Sequence, residues 1–220
     1  MPSDMAAQQG RKQGPGRPKD EEKRKAILDA ACRQFLENGI AATRVDRIAS
    51  EAGVSKMTVY AHFGDKAGLF AASVRSRTET LAEALADLPD PPADLRRALI
   101  TYGTAFVLFL RSPDVLRLDL ILATEAATHP EIAAAFYESG PGVVLGTVTG
   151  ILRQACERGM IRLPDVDKAA DSLVASWCHG PDWIAQRLAL RGPPTREEAQ
   201  ERVQRSVDWF LAAHAVKPQD

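Results

Sequence analysis

The stretch from Thr43 to Lys66 constrains the fold of this chain more than any other segment. Apolar residues at one-face helical spacing predict a short helix that ends at Gly53, because glycine adopts a left-handed conformation after a helix without steric cost. Ser55 then predicts the cap of a second short helix, Lys56 to Phe63. Two helices joined by so tight a turn cross steeply, which indicates a helix-turn-helix.

The residues of these two short helices divide into caps, inward-facing apolar positions and outward-facing polar positions. Thr43 predicts the N-cap of the first helix, and Asp46, three residues later, completes a capping box. In the second helix Val59 and Phe63 are expected to point inward. Its other faces present charge, hydroxyl groups and flat rings, as phosphate and base-edge contacts require: Lys56, Met57, Thr58, Tyr60 and His62. A short solvated helix in a helical bundle has the same spacing.

Residues 21–70 resemble the N-terminal domain of TetR-type transcriptional regulators. The matching residues, in order and without gaps, are Ile27, Ala30, Ala31, Phe35, Gly39, Thr43, Ile48, Ala49, Ala52, Gly53, Val54, Ser55, Val59, Tyr60, His62, Phe63, Lys66 and Leu69. The resemblance implies that the second short helix enters the DNA major groove and that Lys66 contacts a phosphate at the start of the next helix. We assign the DNA contacts to Arg17, Arg44, Ser55, Lys56, Met57, Thr58, Tyr60, His62 and Lys66. Of these, Lys56, Met57 and Thr58 suit base edges, and Tyr60, His62 and Lys66 suit phosphates.

Positive charge is concentrated in the first third of the chain. Residues 11–66 carry 12 Lys and Arg against 8 Asp and Glu, whereas residues 67–220 carry 16 against 20. This distribution is the electrostatic footprint expected for contact with nucleic-acid phosphates. The net charge of the whole chain, −1, conceals it.

We divide the chain into three parts: a disordered basic arm (1–19), a helix-turn-helix DNA-binding domain (20–66), and an effector-binding and dimerisation domain (67–220). The arm is polar and rich in Gly, Pro and Gln. Its Gly16-Arg17-Pro18 segment resembles arms that insert an arginine into the DNA minor groove. A generic basic tail that attracts phosphate is the alternative.

Helical periodicity continues along the whole chain, and no window shows the alternation typical of strands. The sequence therefore predicts an all-α fold. Predicted helices cover about 20–38, 66–88, 94–111, 115–128, 130–139, 142–158 and, interrupted by Gly180-Pro181, 165–190. A second capping box, Thr195 to Glu198, opens the last helix. Ser112 and Pro113 predict the N-cap and the first position of the helix that ends at about residue 128.

Leu116 to Ala213 resembles the C-terminal domains of the AefR-like branch of the same family. This resemblance implies a homodimer that forms through the last two helices and a ligand pocket inside the bundle. The candidates to line the pocket are Tyr102, Phe106, Phe109, Leu120, Phe136, Trp177 and Trp183, with Glu125, His129 or Tyr137 as polar groups. Ordinary core packing is the alternative for each apolar residue. The low charge of these segments favours an apolar or aromatic effector.

No catalytic, cofactor-binding or metal-binding pattern is found in the sequence. The four histidines lie on different predicted elements, and none has metal-ligand spacing with a cysteine or carboxylate. Cys32, Cys156 and Cys178 suggest neither a disulfide framework nor a zinc site. No apolar run approaches the roughly 20 residues of a membrane span, and no signal peptide opens the chain. We therefore expect a cytoplasmic protein that is not an enzyme, has no cofactor or metal and does not contact a membrane.

Together these features predict a ligand-responsive transcriptional regulator that binds double-stranded DNA. Repression is favoured: a homodimer would bind a palindromic operator and be released by a small apolar or aromatic effector. A DNA-binding protein without an effector and an activator of the same family are alternatives. A helical bundle that binds or converts small molecules, with a vestigial DNA-reading domain, is a third.

Overall fold

The computed structural model describes residues 17–84, 94–214 and 216, with side chains from Asp20 onward except that of residue 82. The described residues form eleven α-helices and no β-strand, which confirms the all-α prediction. The helices are α1 Arg17–Asn38, α2 Val45–Glu51, α3 Lys56–Phe63, α4 Lys66–Glu83, α5 Leu95–Leu110, α6 Pro113–Glu125, α7 Pro130–Ser139, α8 Pro141–Glu157, α9 Val166–Cys178, α10 Pro181–Arg187 and α11 Arg196–His214.

Several helices begin at the side-chain caps that the sequence predicts. The side chains of Ser55, Ser112 and Asp165 each accept a hydrogen bond from the backbone N–H three residues later. At the start of α11 the capping is reciprocal. The Thr195 N–H donates to Glu198 Oε2 at 2.9 Å, and the Glu198 N–H donates to Thr195 Oγ1 at 3.2 Å. These local hydrogen bonds explain why the helix starts were predictable.

The capping box predicted at Thr43 is wrong. The N-cap of α2 is Arg44, which makes no side-chain cap hydrogen bond. Thr43 is buried instead, and its hydroxyl lies within hydrogen-bonding distance of the carbonyl oxygens of Gln34 (2.9 Å) and Gly39 (2.5 Å). The hydroxyl is therefore directed to the C-terminal end of α1 and the residue after it, rather than to the start of α2. Asp46 pairs with cationic side chains rather than with the cap amide.

The first and fourth helices differ from their predicted limits. Helix α1 begins at Arg17 rather than at Asp20, so the last residues of the predicted arm are helical. Pro18 is compatible with this start, because the first turn of a helix leaves its N–H groups unpaired. The rest of the predicted arm and the predicted end of α4 near Leu88 lie outside the described residues.

The helix after Gly180 is shorter than predicted. It ends at Arg187, where the sequence predicted continuation to Leu190. Ala189 adopts φ +57°, and the Leu190 N–H donates to the Ala185 carbonyl oxygen at 2.8 Å. This arrangement closes the helix with a left-handed residue that is not glycine.

Two apolar cores hold the molecule together. The first contains the buried side chains of α1, α2 and α3, together with Leu69, Phe70 and Val74 of α4. Leu122 of α6 and Ile132 of α7 belong to the same core. The helix-turn-helix is thus packed directly onto α6 and α7, because its own short helices cannot enclose a complete core.

The second core lies among α5, α8, α9 and α11. Its largest fully buried side chains are Tyr102 and Trp177. The indole of Trp177 packs against α5 at Gly103, where a Cβ atom would lie 3.0 Å from the ring. Arg96 of α5 also pairs with Asp208 of α11 at 2.7 Å. This core is the scaffold against which the remaining helices are positioned.

Candidate DNA-reading surface and ligand cavity

The turn between α2 and α3 has the geometry that the sequence predicts. Gly53 adopts φ +67°, the left-handed conformation that costs glycine nothing. Ser55 Oγ accepts from the Thr58 N–H at 3.1 Å and shares a second hydrogen bond with the Thr58 hydroxyl at 2.8 Å. Val59 is buried beneath α3, with Phe63 partly buried beside it. The opposite face of α3 is left toward solvent.

Cationic, hydroxyl and aromatic groups cover that outer face. Lys56 is exposed at the first position of α3, and its Nζ lies 5.8 Å from the centre of the Tyr60 ring. Met57 is 76% exposed, and Tyr60 is exposed as well. Such groups bind phosphate oxygens and base edges. The predicted placement of these side chains on the outside of the helix is therefore confirmed, while their contact with DNA stays a prediction.

A single carboxylate links the N-terminal ends of α2 and α3. Asp46 Oδ1 lies 2.7 Å from Lys56 Nζ, and Asp46 Oδ2 lies 3.4 Å from Arg44 Nη2. All three side chains are substantially exposed. The hydrogen bond from Lys56 holds the pKa of Asp46 below its usual range, and Asp46 in turn raises the pKa of Lys56.

Two side chains predicted to contact phosphates have partners within the protein itself. His62 is mostly buried, and its Nε2 lies 3.3 Å from Asp20 Oδ1 of α1. Lys66 Nζ donates to the Ala41 carbonyl oxygen at 2.7 Å. Lys66 therefore holds the loop between α1 and α2 through this hydrogen bond. Contact of Lys66 with a DNA phosphate requires either that this hydrogen bond is kept or that it is broken first. The Arg17 side chain lies outside the described residues.

A cavity of about 570 Å³ opens among α1, α4, α5, α6, α7, α8, α9 and α10. Its walls are predominantly apolar. The apolar and aromatic lining residues are Phe35, Leu36, Phe70, Val74, Phe106, Phe109, Leu110, Val115, Leu118, Phe136, Val144, Leu145, Val174 and Trp183. A volume of this size suits a drug-sized ligand.

The cavity contains four of the seven apolar residues predicted to line a pocket: Phe106, Phe109, Phe136 and Trp183. The other three, Tyr102, Trp177 and Leu120, do not line this cavity. Tyr102 and Trp177 lie in the second core, and burial raises the pKa of Tyr102, partly offset by a hydrogen bond with Thr147. Leu120 faces solvent on the outer side of α6.

Of the three polar residues predicted for the pocket, only one lines the cavity. Tyr137 lines the cavity, whereas Glu125 and His129 do not. Glu125 Oε2 instead accepts a hydrogen bond from the Ala41 N–H at 3.0 Å, so that α6 contacts the loop between α1 and α2. His129 Nδ1 lies 3.4 Å from Glu131 Oε1. The helix-turn-helix and α6 are therefore joined by a polar contact that no local sequence pattern predicts.

Residues of α1 form part of the cavity wall, which the sequence did not predict. Cys32, Phe35 and Leu36 line it at helical spacing. Phe35 meets Phe70 edge to face, with ring centroids 5.3 Å apart, and Phe70 stacks on Phe136 at 6.5 Å. The aromatic series thus runs from the first core to α7 along one side of the cavity. The periodicity of α1 identified Phe35 as buried but could not show what lies beyond it.

The Trp183 ring, which also lines the cavity, lies near two arginines. The guanidinium carbons of Arg111 and Arg187 are 6.0 and 5.9 Å from its centre. Arg111 is 3% exposed, and its Nε donates to Gln186 Oε1 at 2.8 Å. Burial lowers the pKa of Arg111. Arg187 Nη2 lies 3.3 Å from Asp119 Oδ2, close enough for an ion pair but without hydrogen-bond alignment.

Neither a metal-binding cluster nor a membrane-spanning helix is found in the part of the chain that the structure describes. No three His, Cys, Asp or Glu side chains among the described residues lie close enough together to hold a metal ion. None of the described helices is both long and apolar enough to cross a membrane.

Two family models match the chain, and together they cover most of it. Residues 27–73 match the model described as bacterial regulatory proteins, tetR family. Residues 97–216, more than half of the chain, match the C-terminal domain of AefR-like transcriptional repressors. The first match contains the whole α2–turn–α3 unit, and the second contains α6 to α11 and most of α5.

Individual proteins are similar to shorter parts of the chain. It is 37% identical over 101 residues to the transcriptional repressor SCO4008 of Streptomyces coelicolor, covering 46% of this chain and 50% of that protein. It is 32% identical over 125 residues to the transcriptional activator FasR of Mycolicibacterium smegmatis, covering 57% of this chain and 56% of that protein. The chain thus spans about half the length of these two relatives.

A solved structure is similar over nearly the whole fold. The Flavonoid-responsive Regulator FrrA superposes with a TM-score of 0.69 and 30% sequence identity, covering 91% of this chain and 100% of that one. The similarity therefore extends from the helix-turn-helix through the cavity-forming helices. On the strength of both family matches, the chain belongs to the TetR family of bacterial transcriptional regulators.

Proposed function

We propose that the protein is a homodimeric transcriptional regulator that binds a near-palindromic DNA operator and releases it when an apolar or aromatic ligand enters the cavity. The observation that carries this proposal is the outward face of α3, where Lys56, Met57 and Tyr60 are exposed above a Ser55-capped helix. In helix-turn-helix proteins the N-terminal residues of such a helix reach base edges in the major groove.

Dimer formation is supported by apolar side chains left exposed on the last elements. These are Ile184, Leu188, Leu190 and Trp209, the last of which is 75% exposed. Exposed aromatic and aliphatic residues of this kind are typical of interface cores. Two copies joined through α9 to α11 would place two α3 helices in successive major grooves, about 34–36 Å apart or somewhat more.

The ligand class follows from the lining of the cavity. Five phenylalanine rings line it, together with a smaller exposed polar surface that includes Arg77, Asp171 and His179. Flat aromatic molecules would contact Phe70, Phe106 and Phe136 with little desolvation cost. FrrA is named as a flavonoid-responsive regulator. Flavonoids are accordingly the first probes for this chain.

Release of DNA is supported by the shared wall between the cavity and the helix-turn-helix. Phe35 belongs both to the first core and to the cavity lining, and Glu125 joins α6 to Ala41. A ligand that moves these groups changes the orientation of α3 relative to the bundle. For such an effect the ligand must bind the two orientations with different affinity.

Repression is favoured over activation by the family model of the C-terminal domain and by the relative SCO4008. The relative FasR supports activation as the second possibility. The protein–DNA geometry is the same in both cases. A promoter–reporter assay with the selected operator distinguishes them, since deletion of the regulator raises expression for a repressor and lowers it for an activator.

Selection of bound DNA from a random duplex pool tests the DNA-binding part of the proposal. We expect enrichment of a near-palindromic site that is protected in a footprint. Titration of this complex with a flavonoid panel should then lower operator affinity. A regulator without an effector would bind the site and show no response to any small molecule, and a bundle with a vestigial head would enrich no site.

Sedimentation velocity tests the dimer. Trp209→Glu and Leu190→Glu should shift the protein toward monomer, because each places a charge at the proposed interface. Leu120→Glu, at an exposed apolar position of α6, is the matched control and should leave the mass unchanged. Monomer in all four samples, including the unaltered protein, would contradict the proposed assembly.

A further inference from the structure

We propose that Asp46 is a specificity-determining positioning residue of the DNA-reading surface. It would hold Lys56 and Arg44 in the orientation in which they contact the operator. It would also lower the affinity for DNA of any other sequence. This inference rests on the proposed DNA binding. It adds a residue of α2 that contributes sequence discrimination through its neighbours rather than through its own contact with a base.

The geometry shows one carboxylate shared by two cations of different elements. Lys56 is the first residue of α3 and Arg44 is the N-cap of α2, and Asp46 contacts each with a different oxygen, at 2.7 and 3.4 Å. No other charge partner of Lys56 or Arg44 is found among the described residues. The two cations are therefore oriented by the same anion, and the N-terminal ends of α2 and α3 are tied together.

The orientation of Lys56 affects DNA binding because Lys56 stands at the start of α3. Its long side chain has many rotamers in solution, and ordering it on binding carries an entropy cost. Contacts with Asp46 and with the Tyr60 ring, 5.8 Å from Nζ, restrict those rotamers before DNA binds. Preorganisation of this kind favours the one sequence whose base edges match the preset position.

The negative charge of Asp46 lowers the affinity for DNA of non-operator sequence. A carboxylate beside the reading helix repels the phosphate backbone, and its pairing with Lys56 and Arg44 reduces the charge that they offer to phosphates. Binding that depends only on phosphate contacts is therefore weakened. An aspartate carboxylate is ionised at neutral pH, and Lys56 lowers the pKa of Asp46 further. Non-specific affinity falls while discrimination rises.

Substitution at Asp46 should reverse both effects. Asp46→Asn keeps the size of the side chain but removes its charge. We expect it to bind a scrambled duplex a few-fold more tightly at low salt, with a steeper dependence on salt concentration. Its ratio of operator affinity to scrambled affinity should fall about tenfold, the range of one lost base discrimination. Asp46→Glu retains a carboxylate and should recover most of that ratio.

The experiment measures fluorescence anisotropy of a selected operator, of single base-pair variants of that operator and of a scrambled duplex across a salt series. The proteins are wild type, Asp46→Asn, Asp46→Glu, Lys56→Gln and the Asp46→Asn/Lys56→Gln pair. Glu37→Gln is the charge-matched control, since Glu37 is an exposed acidic residue of α1 away from α3. Thermal unfolding of each variant establishes that the fold is retained.

In the Lys56→Gln background, Asp46→Asn should lower the specificity ratio much less than it does alone, because its main partner is gone. Three results would overturn the inference: an unchanged ratio in Asp46→Asn, an equal change in Glu37→Gln, or an altered preference at one base pair that persists without Lys56. The last would mean that Asp46 contacts a base itself. A wild-type protein that does not prefer the selected operator would refute the proposed function instead.

Discussion

The rings of Phe35 and Phe70 meet edge to face, with their centroids 5.3 Å apart and their planes at 89°. Phe35 belongs to α1 of the helix-turn-helix unit, and Phe70 belongs to α4, which leads into the bundle. Both residues line the cavity. A ligand in the cavity and the fold of the DNA-reading unit therefore share the same two side chains.

Truncation of Phe35 should destabilise the protein. Phe35→Ala removes a fully buried ring and leaves a cavity, which lowers the free energy of unfolding by about 3–5 kcal/mol. We expect loss of binding to all DNA sequences alike, because the support of α3 is lost rather than its outer face. Urea denaturation measures the change. Met57→Ala, at an exposed position, should stay within about 0.5 kcal/mol of wild type.

Removal of the Glu125 carboxylate should separate ligand binding from DNA release. Glu125→Ala eliminates the acceptor of the Ala41 N–H, the polar contact between α6 and the loop after α1. Ligand affinity should be retained, since Glu125 does not line the cavity, while the ligand-induced loss of operator affinity should decrease several-fold. Calorimetry and anisotropy measure the two quantities. Glu138→Ala, exposed on α7, should behave as wild type.

Lys66 and Thr58 should affect DNA binding in different ways. Lys66→Ala is expected to weaken binding to all sequences and to reduce the salt slope by about one, because it would remove the proposed phosphate contact. Thr58→Ala should relax the preference at particular base positions, since its hydroxyl lies beside Ser55 at the start of α3. Mobility-shift titrations on operator and scrambled duplexes separate the two outcomes. The reverse pattern would refute these roles.

The three cysteines should differ in reactivity toward a maleimide at pH 8. Burial raises the pKa of Cys178 to about 12, so its thiol stays protonated at that pH and should react only after unfolding. Cys32 and Cys156 are half-buried and should react in the folded protein. A bound ligand should protect Cys32, which lines the cavity, and leave Cys156 unchanged. Mass spectrometry of single-cysteine variants measures each rate, and equal protection of both would contradict the proposed ligand site.

Much of the fold was predictable because the signals are local. The cap at Ser55, the capping box at Thr195 and the left-handed turn at Gly53 each depend on residues within one helical turn. The predicted cap at Thr43 failed for a tertiary reason. Its hydroxyl is directed to carbonyl oxygens of Gln34 and Gly39 at the end of α1, which the sequence pattern around it does not reveal.

The site was predicted unevenly. The outward face of α3 follows from the positions of Val59 and Phe63, because a helix has one fixed angular period. By contrast, the apolar pattern of α5 and α9 could not distinguish cavity wall from core. Phe106 and Tyr102, one turn apart, are both buried in the second core, but only Phe106 also lines the cavity. The packing of neighbouring helices decides this difference.

By itself, the sequence determined the helices, most of their caps, the outward face of α3 and the family of the protein, since these depend on short-range spacing and on residue type. The tertiary structure alone decided that α1 forms part of the cavity wall, that Glu125 holds Ala41, and that Asp46 joins Lys56 to Arg44. The reason is physical. Each of these relationships depends on distances between separate helices, and those distances are set by the packing of the two cores as a whole.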